Sequence, residues 1–171
     1  CRDGLGLAAK HLAAAYDDGT DMAAREGMAL ASLYGGLALA NAGLGVVHGL
    51  AGVVGGAFTA PHGAVCAALL PHAMAANRAA LLAREPNSPM LARYDEIARL
   101  LTGRAEAVAE DGVEWVRELT VALGVPSLAA HGVAPADVPV LVEKAAVASG
   151  TKANPIVLTR DELAEILARA L

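Results

Sequence analysis

Residues 27–77 read GMALASLYGGLALANAGLGVVHGLAGVVGGAFTAPHGAVCAALLPHAMAAN, and no Asp, Glu, Lys or Arg stands between Glu26 and Arg78. An uncharged apolar run longer than about 20 residues is long enough to span a membrane. Glycines at 35, 36, 43, 45, 49, 52, 55, 56 and 63 divide this run into short segments rather than spans. It also carries Asn41, His48, His62, His72 and Asn77, polar groups that are expensive in lipid unless a site needs them. Small residues do help transmembrane helices approach, so a small membrane bundle stands as a rival. A helix buried on all sides within a helical bundle needs no polar face, and that is the preferred reading.

The rest of the chain agrees with helices. Of its 171 residues 56 % are hydrophobic but only 3 % aromatic. Ala and Leu dominate that share, and both lose little side-chain entropy in a helix. Sheets favour the aromatic and β-branched residues that are sparse here. The fold class expected is all-α, a single domain over 1–171 with about seven or eight helices. A net charge of −5 with scattered Lys and Arg leaves no basic footprint for nucleic acid. No secretory leader is recognisable, and Cys1 and Cys66 make no disulfide framework. The expected setting is therefore cytoplasmic, without nucleic-acid or membrane partners. The chain opens Cys1-Arg2-Asp3 rather than with Met, so a fragment or processed product is expected.

Punctuation places the helices. A first run covers 3–16 and ends at Asp17-Asp18-Gly19. Thr20 or Asp21 can cap a second, which should reach about Asn41 with Gly43 as its stop. A shorter helix over about 44–55 carries His48. Pro61 marks the start of the next, which runs from His62 to Arg84 with a bend expected at Pro71. Glu85-Pro86-Asn87-Ser88-Pro89 breaks the chain. Helices over 90–101 and about 106–123 follow, then a short turn over 126–132 and a helix over 135–149. Thr159-Arg160-Asp161-Glu162 is a capping box for the last helix, whose buried face should be Leu163, Ile166, Leu167 and Leu171.

The chemistry lies in Gly45-Val46-Val47-His48-Gly49 and Ala60-Pro61-His62-Gly63. Two imidazoles on adjacent short helices can converge on one divalent metal through neutral ring nitrogens. The flanking glycines would let backbones approach. Spacing alone leaves two readings open, since histidines in an apolar stretch are also found as core residues with a hydrogen-bond partner. Cys66, one turn after His62, reads as a small buried hydrophobe. His72 can line a cleft or simply pack, and His11 and His131 read as solvent-facing. Thr151, Lys152 and Asn154 stand in the loop before the last helix, where a plain capping loop is an equally good reading. Gly4-Leu5-Gly6 lacks the third glycine and preceding strand of a dinucleotide loop.

The run from Leu39 to Asn77, with the later Leu69-Leu70-Pro71-His72 and the closing Ala153-Asn154-Pro155, is similar to the signature of the iron-containing alcohol dehydrogenases. That family includes lactaldehyde, propanediol and maleylacetate reductases. Its G-x-x-H-x(13)-H-G pattern falls on Gly45, His48, His62 and Gly63, and the resemblance spans nearly the whole chain. It implies a C-terminal helical domain paired with an N-terminal Rossmann-like NAD(P) domain. A divalent metal, Fe2+ or Zn2+, sits between the two on one aspartate and three histidines. His48 and His62 are the implied ligands here. The implied reaction is hydride transfer between a small alcohol, aldehyde or keto substrate and nicotinamide, with the metal as Lewis acid. A homo-oligomer is the expected assembly.

Two departures qualify what the resemblance implies. The family's D-x-x-x-H helix has no counterpart, because Asp3 and His11 are eight apart without matching context. Those ligands, like the NAD(P) domain, are expected ahead of Cys1, and this chain alone is expected to be inactive. Many members also carry a histidine four residues beyond the first ligand, on the nicotinamide side. Gly52 occupies that place here, so no proton relay can run through an imidazole there. A non-catalytic helical binding module of the same fold is the rival that these departures favour.

Overall fold

The computed structural model describes residues 1–171 and contains eight α-helices and no strands. They are α1 (Arg2–Asp17), α2 (Met22–Ala42), α3 (Val46–Ala57), α4 (His62–Arg84), α5 (Pro89–Thr102), α6 (Ala109–Ala122), α7 (Val138–Ala146) and α8 (Arg160–Arg169). Short 3-10 turns at Leu128–His131, Pro135–Asp137 and Ser149–Thr151 complete the path. The helices expected over 106–123 and 135–149 are shorter than their apolar patterns. The residues before Ala109, and Pro135–Asp137, form turns instead.

Local chemistry explains most boundaries. The Asp21 carboxylate accepts the Ala24 N–H at 3.0 Å and caps α2, while Gly43 ends it at φ 75°, a backbone region natural to glycine. Ser88 caps α5, with Pro89 in its first turn. The α6 N-terminus is capped from a distance: Asp95 of α5 accepts the Ala109 N–H at 2.9 Å. Thr159 and Glu162 form the expected reciprocal capping box of α8.

At the centre stands α4, which packs against α3, α5, α6 and α8. It continues through the buried Pro71, whose ring leaves one helical hydrogen bond unmade. The main core joins Val46, Leu50 and Val54 of α3 to Val65 and Leu69 of α4, Leu141 of α7 and Ile166 of α8. A smaller core under α5 and α6 is built on Leu81, Tyr94 and Ile156. By length and composition alone α4 could cross a membrane; in the bundle Val65, Ala68, Leu69, Ala73, Ala80 and Leu81 of this helix are buried. Within the uncharged stretch, α2 and α3 meet at 99°.

Candidate metal centre

His48 lies in the first turn of α3, and His62 opens α4. The two helices pack against each other, so the two first turns bring their imidazoles to the same place. The ring centroids are 5.5 Å apart, inclined at 48°. Cys66, one turn along α4 from His62, joins them. Its Sγ is 3.5 Å from His62 Nε2, and donor atoms of His48, His62 and Cys66 all lie within 4.8 Å of one another. The 14-residue spacing of the histidines therefore brings the two imidazoles together in space. Cys66 is half-buried and packs against the main core, as a small hydrophobe would, while its sulfur also touches the His62 ring.

The electrostatics suit a cation site. Burial, and secondarily the neighbouring His62 ring, hold the His48 imidazole below its ordinary pKa. At neutral pH the ring is uncharged and has a lone pair to give. Burial pushes the Cys66 thiol up. Two neutral imidazoles with donor atoms within 4.8 Å of each other are donors that divalent zinc or iron accepts, and the residues present fit part of the shell of such an ion.

The scaffold behind His48 is set by the loop before α8. Asn154 Oδ1 accepts the Val46 N–H at 3.1 Å, capping the helix that carries His48. The same amide donates to Asn77 Oδ1 at 2.7 Å and to the Ile156 carbonyl at 2.7 Å. Asn77 of α4 is the buried polar residue of the domain, and it returns a bond to Asn154 at 3.3 Å. One clasp thus holds α3, α4 and the loop in register. Gly49 tightens it, since a Cβ there would lie 2.3 Å from Thr151 Cγ2. Of the flanking glycines, Gly45 and Gly49 serve close approach, whereas a Cβ on Gly63 would meet nothing.

Asn154 and Thr151 were visible as loop residues, but their pairing with Asn77 and Gly49 was not. An unexplained Asn within an uncharged run was the available signal. Gly52, one turn beyond His48, faces open space, so a side chain there has room. His72 does not join the cluster. It is half-buried, and its pKa is lowered by burial and then by Arg117 and Arg169, which places it toward α6 and α8. His11 and His131 are not solvent-facing as expected. The His11 ring covers Gly27 in the α1–α2 contact, and His131 Nε2 is buried without a hydrogen-bond partner. Helix pairing in the first case, and the turn around Gly132 in the second, drew them inward.

Similarity to known proteins agrees with this geometry. All 171 residues match the C-terminal domain of the Fe-containing alcohol dehydrogenase family. Alcohol dehydrogenase 4 of Schizosaccharomyces pombe is 37 % identical over 96 % of this chain and 37 % of its own length. The 1,3-propanediol dehydrogenase of Klebsiella pneumoniae is 35 % identical over 96 % of this chain and 42 % of its own. A crystal structure of a 1,3-propanediol oxidoreductase superposes with a TM-score of 0.88 at 32 % identity, covering 99 % of this chain and 44 % of that one. The chain belongs to the Fe-containing alcohol dehydrogenase family and corresponds to its C-terminal, all-helical domain. It spans about two fifths of the length of these relatives.

Proposed function

We propose that this domain supplies His48 and His62 to a divalent metal, iron or zinc, at the substrate side of an NAD(P)-dependent alcohol dehydrogenase or carbonyl reductase. The observation that carries the reading is the convergence of the two imidazoles, 5.5 Å apart, from separate helices. A nucleotide-binding domain and the remaining ligands, an aspartate and a histidine, complete the enzyme from outside these residues. The relatives named as alcohol and propanediol dehydrogenases support a small alcohol, aldehyde or ketone as substrate.

When bound, the metal supplies Lewis acidity toward the substrate oxygen. The chain's own residues prepare that role. His48, held neutral by burial, donates a lone pair without first losing a proton. The Asn154–Asn77 clasp fixes the start of α3 and so the direction of the His48 ring, the kind of outer support on which ligand geometry depends. Gly52 offers no acid or base one turn beyond His48, so a proton leaving the substrate must pass by water or another group. The cofactor carries the hydride.

The test uses the protein together with its nucleotide-binding part. Metal content and alcohol-dependent reduction of NAD or NADP are measured for the parent, His48→Ala and His62→Ala. Loss of both metal and turnover in each variant is expected. Full activity in either variant, or a parent that turns over no alcohol with either nucleotide, refutes the reading; the latter result favours a non-catalytic binding role.

A further inference from the structure

We propose that the 3-10 turn Ser149–Thr151 is a positioning device for His48, in which Gly150 and Thr151 act through the peptide that joins His48 to Gly49. The inference rests on the reading of His48 and His62 as metal ligands and names the residues that aim one of them. The turn packs directly on α3. A Cβ on Gly150 would stand 3.0 Å from Gly49 N, 3.1 Å from Gly49 Cα and 3.3 Å from the His48 carbonyl carbon. A Cβ on Gly49 would stand 2.3 Å from Thr151 Cγ2 and 3.2 Å from the Thr151 nitrogen. Each segment thus occupies the space that a side chain on the other would need, the close backbone approach that glycine permits. Thr151 is itself held: its Oγ1 and its N–H donate to the Ala148 carbonyl at 2.7 and 3.1 Å. Two bonds to one acceptor fix the β-branched side chain in one rotamer, with Cγ2 against Gly49.

This contact differs from the Asn154 cap. Asn154 holds the Val46 N–H at the very end of α3, a single bond about which a helix end still tilts. The turn bears on the His48–Gly49 peptide, so α3 is held at a second point, at the ligand itself. The His48 side chain leaves the backbone beside that peptide, and any displacement there passes to its ring. His62 stands on α4 and does not move with it. Metal and catalytic sites need their geometry held within about 0.5 Å. Seating a methyl on Gly49 would require the 2.3 Å approach to Thr151 Cγ2 to open by about 1 Å to reach ordinary carbon–carbon contact, which exceeds that tolerance.

Zinc is the probe, its dissociation constant read by competition with a chromogenic chelator in the protein together with its nucleotide-binding part. Gly49→Ala should weaken zinc by about 10-fold or more, the usual effect of disturbing the support behind a ligand. Thr151→Ser removes Cγ2 and keeps the hydroxyl that bonds Ala148. The double variant Gly49→Ala/Thr151→Ser should therefore regain most of the lost affinity. Gly150→Ala, with its milder contacts, should shift affinity in the same direction by less, and it decides the matter if Gly49→Ala does not fold. Leu101→Ala, at a buried position of α5, lowers stability on a helix that carries neither histidine and should leave zinc affinity unchanged. Parental affinity in Gly49→Ala and Gly150→Ala overturns this inference while leaving the histidine site intact. So does a loss that Thr151→Ser fails to repair, or one that Leu101→Ala reproduces. Zinc affinity indifferent to His48→Ala and His62→Ala overturns both.

Discussion

The α1–α2 hairpin and the bundle of α3, α4, α7 and α8 are made of similar Ala-, Leu- and Gly-rich sequence, yet they bury it very differently. In α1 no residue is buried, and in α2 only Ala24 and Gly27 are. Leu33 and Leu37 of α2 remain 57 % and 54 % exposed. In the bundle, Leu50, Val54, Val65 and Leu69 are 0 % exposed, within one core of 17 buried residues. The lesson is that apolar composition is not burial. What separates the regions is the number of neighbours: α4 has helices on several sides, while α2 has α1 on one. The proposed metal ligands, His48 and His62, are carried by helices of the well-packed region, which can hold their backbones still.

Core truncation should separate the regions most sharply. Leu50→Ala or Leu69→Ala is expected to cost about 2–5 kcal/mol, the transfer free energy plus the cavity left behind. Leu33→Ala or Leu37→Ala should stay within about 0.5 kcal/mol. Urea unfolding midpoints at constant m-value give both numbers. Comparable losses in the two helices would break the comparison and show that the α2 face is covered in solution.

The clasp comes next in size. Asn154→Ala removes the acceptor for Val46 N–H and strands the buried Asn77 amide, at about 1–3 kcal/mol. The loss should be accompanied by weaker metal binding, because the first turn of α3 is released. A variant equally destabilised at Tyr94, in the smaller core, is the control that should spare metal affinity.

Glycine substitutions sharpen the same contrast from the other side. Gly49→Ala places a methyl 2.3 Å from Thr151 Cγ2 and should destabilise by about 1–3 kcal/mol through overpacking. Gly35→Ala in α2 meets nothing within 4 Å and should stabilise by about 0.5–1 kcal/mol, as alanine does in an exposed helix interior. Thermal midpoints moving in opposite directions are the expected outcome; parallel shifts would contradict it.

Acid sensitivity is the smallest effect expected. His48 and His72 both have folded pKa values lowered chiefly by burial, so the unfolded chain binds protons more readily. Their contribution to stability is present above the unfolded value of about 6.5 and is lost as pH falls through the lowered folded values. Unfolding midpoints between pH 7 and 5 should decline, and His72→Gln should flatten part of the slope. An unchanged slope would remove His72 from the account.

Helices and the histidine pair were legible in the sequence because their causes are local. Alanine and leucine content, the Thr159 box, the Asp21 cap and the Gly43 stop act within a few residues, and the spacing of His48 and His62 spans a single helix–loop–helix. Tertiary structure alone decided the rest. The Asn77–Asn154 clasp joins residues 77 apart, and the Asp95 cap on α6 crosses between two helices. Whether the His48 ring meets that of His62 depends on how α3 lies against α4, and whether Leu33 is buried depends on which helices surround it. A side chain's type and its neighbours along the chain do not contain that information, because burial and long-range hydrogen bonds are properties of the assembled packing.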